Sequence, residues 1–255
     1  MSRRMKEEQM RLNRYIARCG ASSRREADKL IESGRIGVNG EVCREFSTRI
    51  IPGTDSVTLD GKVLELPPLL YFKFYKPRGV ITTLDDPRGR RTVAEYLARE
   101  GIADGVVPAG RLDMDSEGLL LLTNDGGMLQ WLTHPAHEIT KTYRVLITRW
   151  PVQGDLDRLR KGVDMGEYVA TPLSVMRMGP QPVDEENARE GYWLEIVMGE
   201  GRKREIREML SAIGYRVERL VRIAHGPITT DQIRPGEILK LTDVELGMLD
   251  GLKES

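Results

Sequence analysis

The chain has 255 residues, 40% hydrophobic and 31% charged, with 39 Lys+Arg balanced by 39 Asp+Glu for a formal net charge of +0. That length buries a good core yet exceeds the usual single-domain size, so two domains are expected, and the composition excludes wholesale disorder. Zero net charge argues against a uniformly basic nucleic-acid coat but allows a local basic face.

No apolar run is long enough to cross a bilayer, and Met1-Ser2-Arg3-Arg4 leads into polar residues rather than a signal core. A cytoplasmic, membrane-free protein is expected. Cys19 and Cys43 lack the paired spacing of metal ligands, so no metal is expected.

Leu12, Tyr15, Ile16 and Cys19 fall on one face of a first helix that Gly20 stops, while Arg11, Arg14 and Arg18 fall elsewhere. Ser23 and Glu26 form a capping-box pattern that opens a second helix, with Ala27, Leu30 and Ile31 on its buried face and Gly34 beyond its end. Ile36 and Val38 then alternate with polar residues, Asn39-Gly40 offers a hairpin turn, and Val57 and Leu59 alternate again before Asp60-Gly61. These elements make a small helix-helix-strand domain over residues 1–62. A linker over 63–69 contains Pro67-Pro68, which cannot extend a helix.

Strand signals dominate a larger domain over 70–243: Leu70 to Tyr75, Leu119 to Leu122, Tyr143 to Ile147, and Trp193 to Val197. Helices are predicted at Val93 to Arg99, Asp155 to Arg160 and Glu205 to Ile213. The pattern is α+β with a mixed, mainly antiparallel sheet. Gly179 to Glu190 reads as a solvated loop, and 244–255 as a C-terminal tail of undecided conformation.

On charge alone, the basic residues of the first domain could be a solvated helical face or a grip on phosphates. The string from Arg11 through Ala27, continuing Gly34-Arg35-Ile36-Gly37-Val38-Asn39-Gly40, resembles the small RNA-binding domain first recognised in a small-subunit ribosomal protein. The resemblance implies contacts to structured RNA from Arg14, Arg18, Arg24, Arg25 and Arg35, reading shape and phosphates. Where that family commonly has Lys just inside the first helix, this chain has Asn13-Arg14.

The acidic segment Gly110-Arg111-Leu112-Asp113-Met114-Asp115-Ser116-Glu117-Gly118 feeds the apolar run Leu119 to Leu122. From pattern alone it is either a surface turn before a core strand or a loop lodging a carboxylate in a cleft. The string resembles the signature of ribosomal RNA pseudouridine synthases that carry the N-terminal clamp just described. That resemblance implies a pseudouridine synthase fold for the large domain. It makes Asp113 the catalytic carboxylate, with Arg111 and Leu112 as structural motif residues, no cofactor, and ribosomal RNA or an assembly intermediate as partner.

Three further segments resemble the family in order. Tyr75-Lys76-Pro77-Arg78-Gly79 resembles a structural motif, which assigns packing roles to Lys76, Pro77 and Gly79. Lys141-Thr142-Tyr143-Arg144-Val145 resembles the motif whose tyrosine lies against the target uracil, here Tyr143. Glu200 to Arg207 resembles the segment whose last arginine, Arg207, pairs with the catalytic aspartate, although Glu205 stands where Gln is common and Glu208 where a basic residue is common.

Arg202, Lys203, Arg204, Arg216, Arg219 and Arg222 are candidate phosphate contacts, and His134, His137 and His225 are read as structural or RNA-facing. The stretch Thr82 to Val93 resembles members acting on large-subunit RNA, and a monomer is the family's default. Small-subunit RNA as substrate, and a non-catalytic ribosome-binding or assembly protein on the same scaffold, are the alternatives.

Overall fold

The computed structural model describes residues 9–102, 105–179, 181–182 and 190–254. Chain contacts divide it into a first unit ending at Leu69 and a second beginning at Leu70.

The first unit runs β1 (Met10–Arg11), α1 (Leu12–Arg18), α2 (Arg24–Glu32), β2 (Ile36–Val38), β3 (Glu41–Val42), β4 (Arg49–Ile50), β5 (Val57–Leu59) and β6 (Lys62–Val63). The expected capping box opens α2: the Ser23 hydroxyl accepts from the Glu26 N–H at 3.2 Å, and the Ser23 N–H donates to the Glu26 carboxylate at 2.9 Å. Asn39-Gly40 and Asp60-Gly61 all hold positive φ between directly paired strand ends, as two-residue type I′ turns require. The antiparallel sheet β3-β2-β5-β6 and the two helices enclose Leu12, Ile16, Ala27, Ile31, Ile36, Ile50 and Val57.

The linker expected at 63–69 is partly integral to this unit. Val63 pairs with Thr58, the Leu64 N–H donates to the Val57 carbonyl at 2.8 Å, and Leu64 and Leu66 pack on the same core.

The second unit begins with β7 (Tyr71–Lys76), α3 (Val93–Arg99), β8 (Val107–Pro108), β9 (Glu117–Thr123), α4 (Gly126–Thr133), β10 (Lys141–Ile147) and α5 (Gln153–Lys161). It continues with β11 (Val163–Asp164), β12 (Val169–Ala170), β13 (Ser174–Arg177), β14 (Gln181–Pro182) and β15 (Glu190–Met198). It ends with α6 (Glu205–Ala212), β16 (Val217–His225), β17 (Ile228–Thr229), β18 (Ile238–Lys240) and α7 (Asp243–Glu254).

The main sheet has the order β13-β15-β10-β16-β9-β7-β18, antiparallel at every junction along this path except the parallel β16–β9 pair. Because side chains alternate along a strand, Leu120 and Leu122 of β9 enter one core with Leu97, Leu156 and Met209. Leu119 and Leu121 enter another with Met128, Trp131 and Leu249. This central strand is buried along its whole length.

Two helices depart from the sequence expectation. α4 was not predicted, because Gly126-Gly127 at its start disfavour a helix; Asp125 nucleates it by accepting from the Gly127 N–H at 2.8 Å. The tail over 244–255 is helical through Glu254, opened by a Thr242–Glu245 capping box and anchored by buried Leu249. Of the loop expected at Gly179 to Glu190, residues 180 and 183–189 lie outside the described residues, while Gln181–Pro182 pairs with Glu190 and Gly191.

Candidate active site

A cavity of about 650 Å³ opens beside the end of the sheet where β10 begins, and Asp113, Tyr143, Lys141, Ser116, Glu205 and Arg222 are among its lining residues. The loop carrying Asp113 is pinned from beneath. Thr82 Oγ1 donates to the Leu112 carbonyl at 2.7 Å and accepts from the Leu112 N–H at 3.2 Å, while the Gly79 N–H donates to the Met114 carbonyl at 2.7 Å. Lys76 is fully buried and donates to the carbonyls of Pro77 (3.0 Å) and Val80 (2.8 Å), which fixes the turn that holds Gly79. Burial pushes its ammonium down to about 8, a fall that the charges of Glu117, Asp113 and Asp115 limit. The segment Lys76 to Gly79 thus supports the acidic loop from behind, and none of Lys76, Pro77 and Gly79 lines the cavity.

Arg207 is placed differently from expectation. Its Nη2 donates to the Asp115 carbonyl at 2.8 Å, and its Nε sits 3.3 Å from Asp115 Oδ2 at ion-pair distance without hydrogen-bond alignment. Its carboxylate partner is therefore Asp115 rather than Asp113. Among the described residues the cation within ion-pair distance of Asp113 is Arg204, whose Nη1 lies 4.0 Å from Asp113 Oδ2 and 3.1 Å from Asp115 Oδ1. Burial raises the Asp115 carboxyl, but the Arg204 hydrogen bond and the Arg207 charge outweigh it and hold the group below the usual range. Arg204 takes a left-handed backbone (φ 54) at the start of α6, a strained geometry that brings its side chain to the acidic loop.

Tyr143 is buried in β10 with its neighbour Lys141 two residues before it on the same face. Across the ladder, Tyr143 pairs with Arg222 and Lys141 with His225. Burial, with the Arg222 charge, pushes Lys141 down to about 8, and its Nζ donates to the Ile139 carbonyl at 2.8 Å. Burial, then the charges of Arg222 and Lys141, hold His225 neutral, in keeping with a structural role.

Of the candidate phosphate contacts, Arg202 and Lys203 are exposed at the cavity wall, and the Arg202 guanidinium lies 3.9 Å from the centre of the Tyr168 ring. Arg219 is engaged by Glu117 through its Nε at 2.6 Å and Nη2 at 3.0 Å. Arg222 is not a surface residue: it is 2% exposed, with its Nε donating to the Leu119 carbonyl at 2.7 Å. In the first unit Arg24 and Arg25 are exposed on α2, Arg14 and Arg18 are half-buried on α1, and Arg35 is held by Asp60 in a bidentate pair. Sequence reasoning did not identify Ser116, Lys141 or Arg204 as the groups that crowd Asp113 and Tyr143. Only the alternation that puts Lys141 on the Tyr143 face could have flagged one of them.

The Asp113 loop is thus clamped beside a cavity that the buried Tyr143 also lines. Residues 71–212 match the family described as RNA pseudouridylate synthase, and residues 10–55 match the S4 domain. The chain belongs to the RNA pseudouridylate synthase family and carries an S4 domain ahead of it.

An uncharacterised RNA pseudouridine synthase of Aquifex aeolicus is 36% identical over 94% of this chain and 94% of its own. Ribosomal large subunit pseudouridine synthase B of Bacillus subtilis is 34% identical over 96% of this chain and 97% of its own. A crystal structure of a pseudouridylate synthase superposes with a TM-score of 0.62 at 26% identity, covering 94% of this chain and 99% of that one.

Proposed function

We propose that this chain isomerises one uridine to pseudouridine in large-subunit ribosomal RNA, with Asp113 as the catalytic carboxylate. The observation that carries the assignment is the placement of Asp113 and Tyr143 on the wall of one cavity that has a rim of arginine and lysine. The large subunit as substrate is supported by the name of the Bacillus subtilis relative, which matches along nearly the whole of both chains. Such a substrate is met in the cytoplasm, and no helix among the described residues is long and apolar enough to cross a membrane.

The reaction breaks the bond from ribose C1′ to uracil N1, forms one from C1′ to C5, and moves the C5 proton to N1, so no oxidant or hydrolytic water is consumed. Asp113 either attacks the ribose or base or removes a sugar proton. Arg204 Nη1 lies 4.0 Å from the Asp113 carboxylate, beyond hydrogen-bond reach, so it faces the group while leaving its oxygens free to react. Tyr143 supplies the flat face for the uracil once the nucleotide is turned out of its stack. Arg207 positions the loop through Asp115. Arg202 and Lys203 meet phosphates at the rim, and Arg14, Arg18, Arg24 and Arg25 grip structured RNA through the S4 domain. The working unit is a monomer that needs neither metal nor cofactor.

Pseudouridine mapping of ribosomal RNA from cells lacking this protein, complemented with the original chain or with Asp113→Asn, tests the assignment. Loss of one modified uridine, restored only by the original chain, is expected. Restoration by Asp113→Asn overturns the catalytic role, and an unchanged map makes the ribosome-binding role the leading one.

A further inference from the structure

We propose that Arg222 is a base-binding residue whose Nη2 donates a hydrogen bond to a carbonyl oxygen of the target uracil lying against Tyr143. The inference rests on the reading of the cavity as the uridine site.

Arg222 lines the cavity yet is 2% exposed, and its Nη2 has no hydrogen-bond partner although it is closed off from water. A buried guanidinium N–H without an acceptor is costly, and the cost falls away when an acceptor enters the cavity. The guanidinium is held in place, because Nε is tied to the Leu119 carbonyl at 2.7 Å. Its backbone is held from both sides. Arg222 pairs with Tyr143 across one strand junction and with Gly118 across the other, so it stands between the stacking ring and the strand that follows the Asp113 loop. The fixed positive charge is also felt by its neighbours, since it contributes to the lowered basicity of both Lys141 and His225.

Position and chemistry select the ligand atom. A nucleotide turned out of the helix enters base first, leaving its phosphates with the exposed Arg202 and Lys203 at the rim. The buried donor therefore meets the base. Arginine can only donate, and uracil offers two carbonyl oxygens, O2 and O4, as acceptors. A donor at O4 rejects cytosine, whose amino group there would face another donor. A donor at either oxygen also stabilises the charge that gathers on the uracil as its bond to C1′ breaks.

The test is single-turnover pseudouridine formation on a ribosomal RNA fragment by the full chain, Arg222→Met and Arg222→Lys, each with its RNA affinity and thermal midpoint measured. Every enzyme is assayed on uridine and on RNA carrying 2-thiouridine or 4-thiouridine at the target, because sulfur is a poor acceptor. Removing one donor of this kind costs a rate factor on the order of 10²–10³. Arg222→Met is expected to lose about that factor per folded molecule, with RNA affinity within about twofold. One of the thio substrates should slow the original enzyme but slow Arg222→Met no further.

A rate near that of the original chain, or losses that multiply for both thio substrates, overturns the proposal. If Arg222→Met does not fold, Arg222→Lys carries the same comparison, because one ammonium cannot reproduce the guanidinium fork that reaches Leu119 and the base together. Asp113→Asn assayed in parallel separates the two readings. If that variant is active, the site assignment has failed; if it is inactive while the thio effects multiply, only the role of Arg222 has failed.

Discussion

Gly118→Ala should be among the most damaging single-methyl changes in the second unit. Gly118 has φ +101, and an added Cβ would lie inside contact distance of the Arg222 carbonyl oxygen, 2.8 Å from its nitrogen and 3.0 Å from its carbonyl carbon. These are backbone atoms at the parallel junction of β9 and β16, so no side-chain rotation relieves the clash. The disfavoured backbone costs about 1–3 kcal/mol and the overpacking about 1–3 kcal/mol, so a loss of roughly 2–6 kcal/mol is expected. For a unit of this size that is a fall in Tm of roughly 4–24 °C.

Gly247→Ala is the matched control. Gly247 is exposed inside α7 with nothing within 4 Å of an added Cβ, and the change should stabilise by roughly 0.5–1 kcal/mol. Urea denaturation of both variants, with scanning calorimetry, gives the two signs directly. A Gly118→Ala variant within about 1 kcal/mol of the original chain would refute the claim that β9 and β16 need this close approach.

Other perturbations address the site and the S4 domain. Asp113→Asn should lower single-turnover pseudouridine formation by a factor on the order of 10²–10⁴ at unchanged RNA affinity; normal turnover removes it from the mechanism. Arg207→Met and Asp115→Asn should each slow the reaction, and the double variant should be little worse than either, whereas fully multiplying losses would show that Arg207 acts on another partner. Arg24→Ala with Arg25→Ala should weaken RNA binding and reduce the slope of log affinity against log salt by about 0.7–0.9 for each phosphate no longer neutralised; an unchanged slope assigns phosphate binding to other residues.

Lys76 predicts a pH effect. Its folded pKa of about 8 lies below the unfolded value of 10.5, so between these values the unfolded chain holds a proton that the folded chain has released. Stability should therefore gain from this group as pH rises from about 8 to 10, at up to ~1.4 kcal/mol per pH unit. Lys76→Met should lack that gain in urea midpoints at successive pH values, and an identical slope in the variant would exclude Lys76 as its source.

Local chemistry made much of the fold legible in the sequence. Ser23 and Glu26 mark the start of α2 because a capping box is closed by neighbours three residues apart. Asn39-Gly40 and Asp60-Gly61 specify their turns because those residues tolerate positive φ. The run Leu119 to Leu122 announces a strand covered on both faces, which β9 is. α4 and α7 escape the same reasoning, since their glycines lower helix propensity while burial of Trp131 and Leu249 supplies the stabilisation that propensity lacks.

The site was legible only in part, and the missing part is of a different kind. Asp113 and Asp115 are two residues apart in one loop, and spacing cannot say which of them an arginine from a distant helix will reach. The answer depends on the turn closed by the Ser116 N–H on the Asp113 carbonyl and on the left-handed backbone at Arg204. Arg222 reads as one more surface charge because its burial comes from two strands, β9 and β10, that close on β16 from opposite sides. The same circumstance gives its role physical weight. A protein can leave the polar atoms Ser116 Oγ, Glu205 Oε1 and Arg222 Nη2 buried without partners only at a cost in stability, and all three residues line the one cavity that also holds Asp113 and Tyr143. That cost is concentrated around a carboxylate and an aromatic face, where local sequence rules give no sign of it.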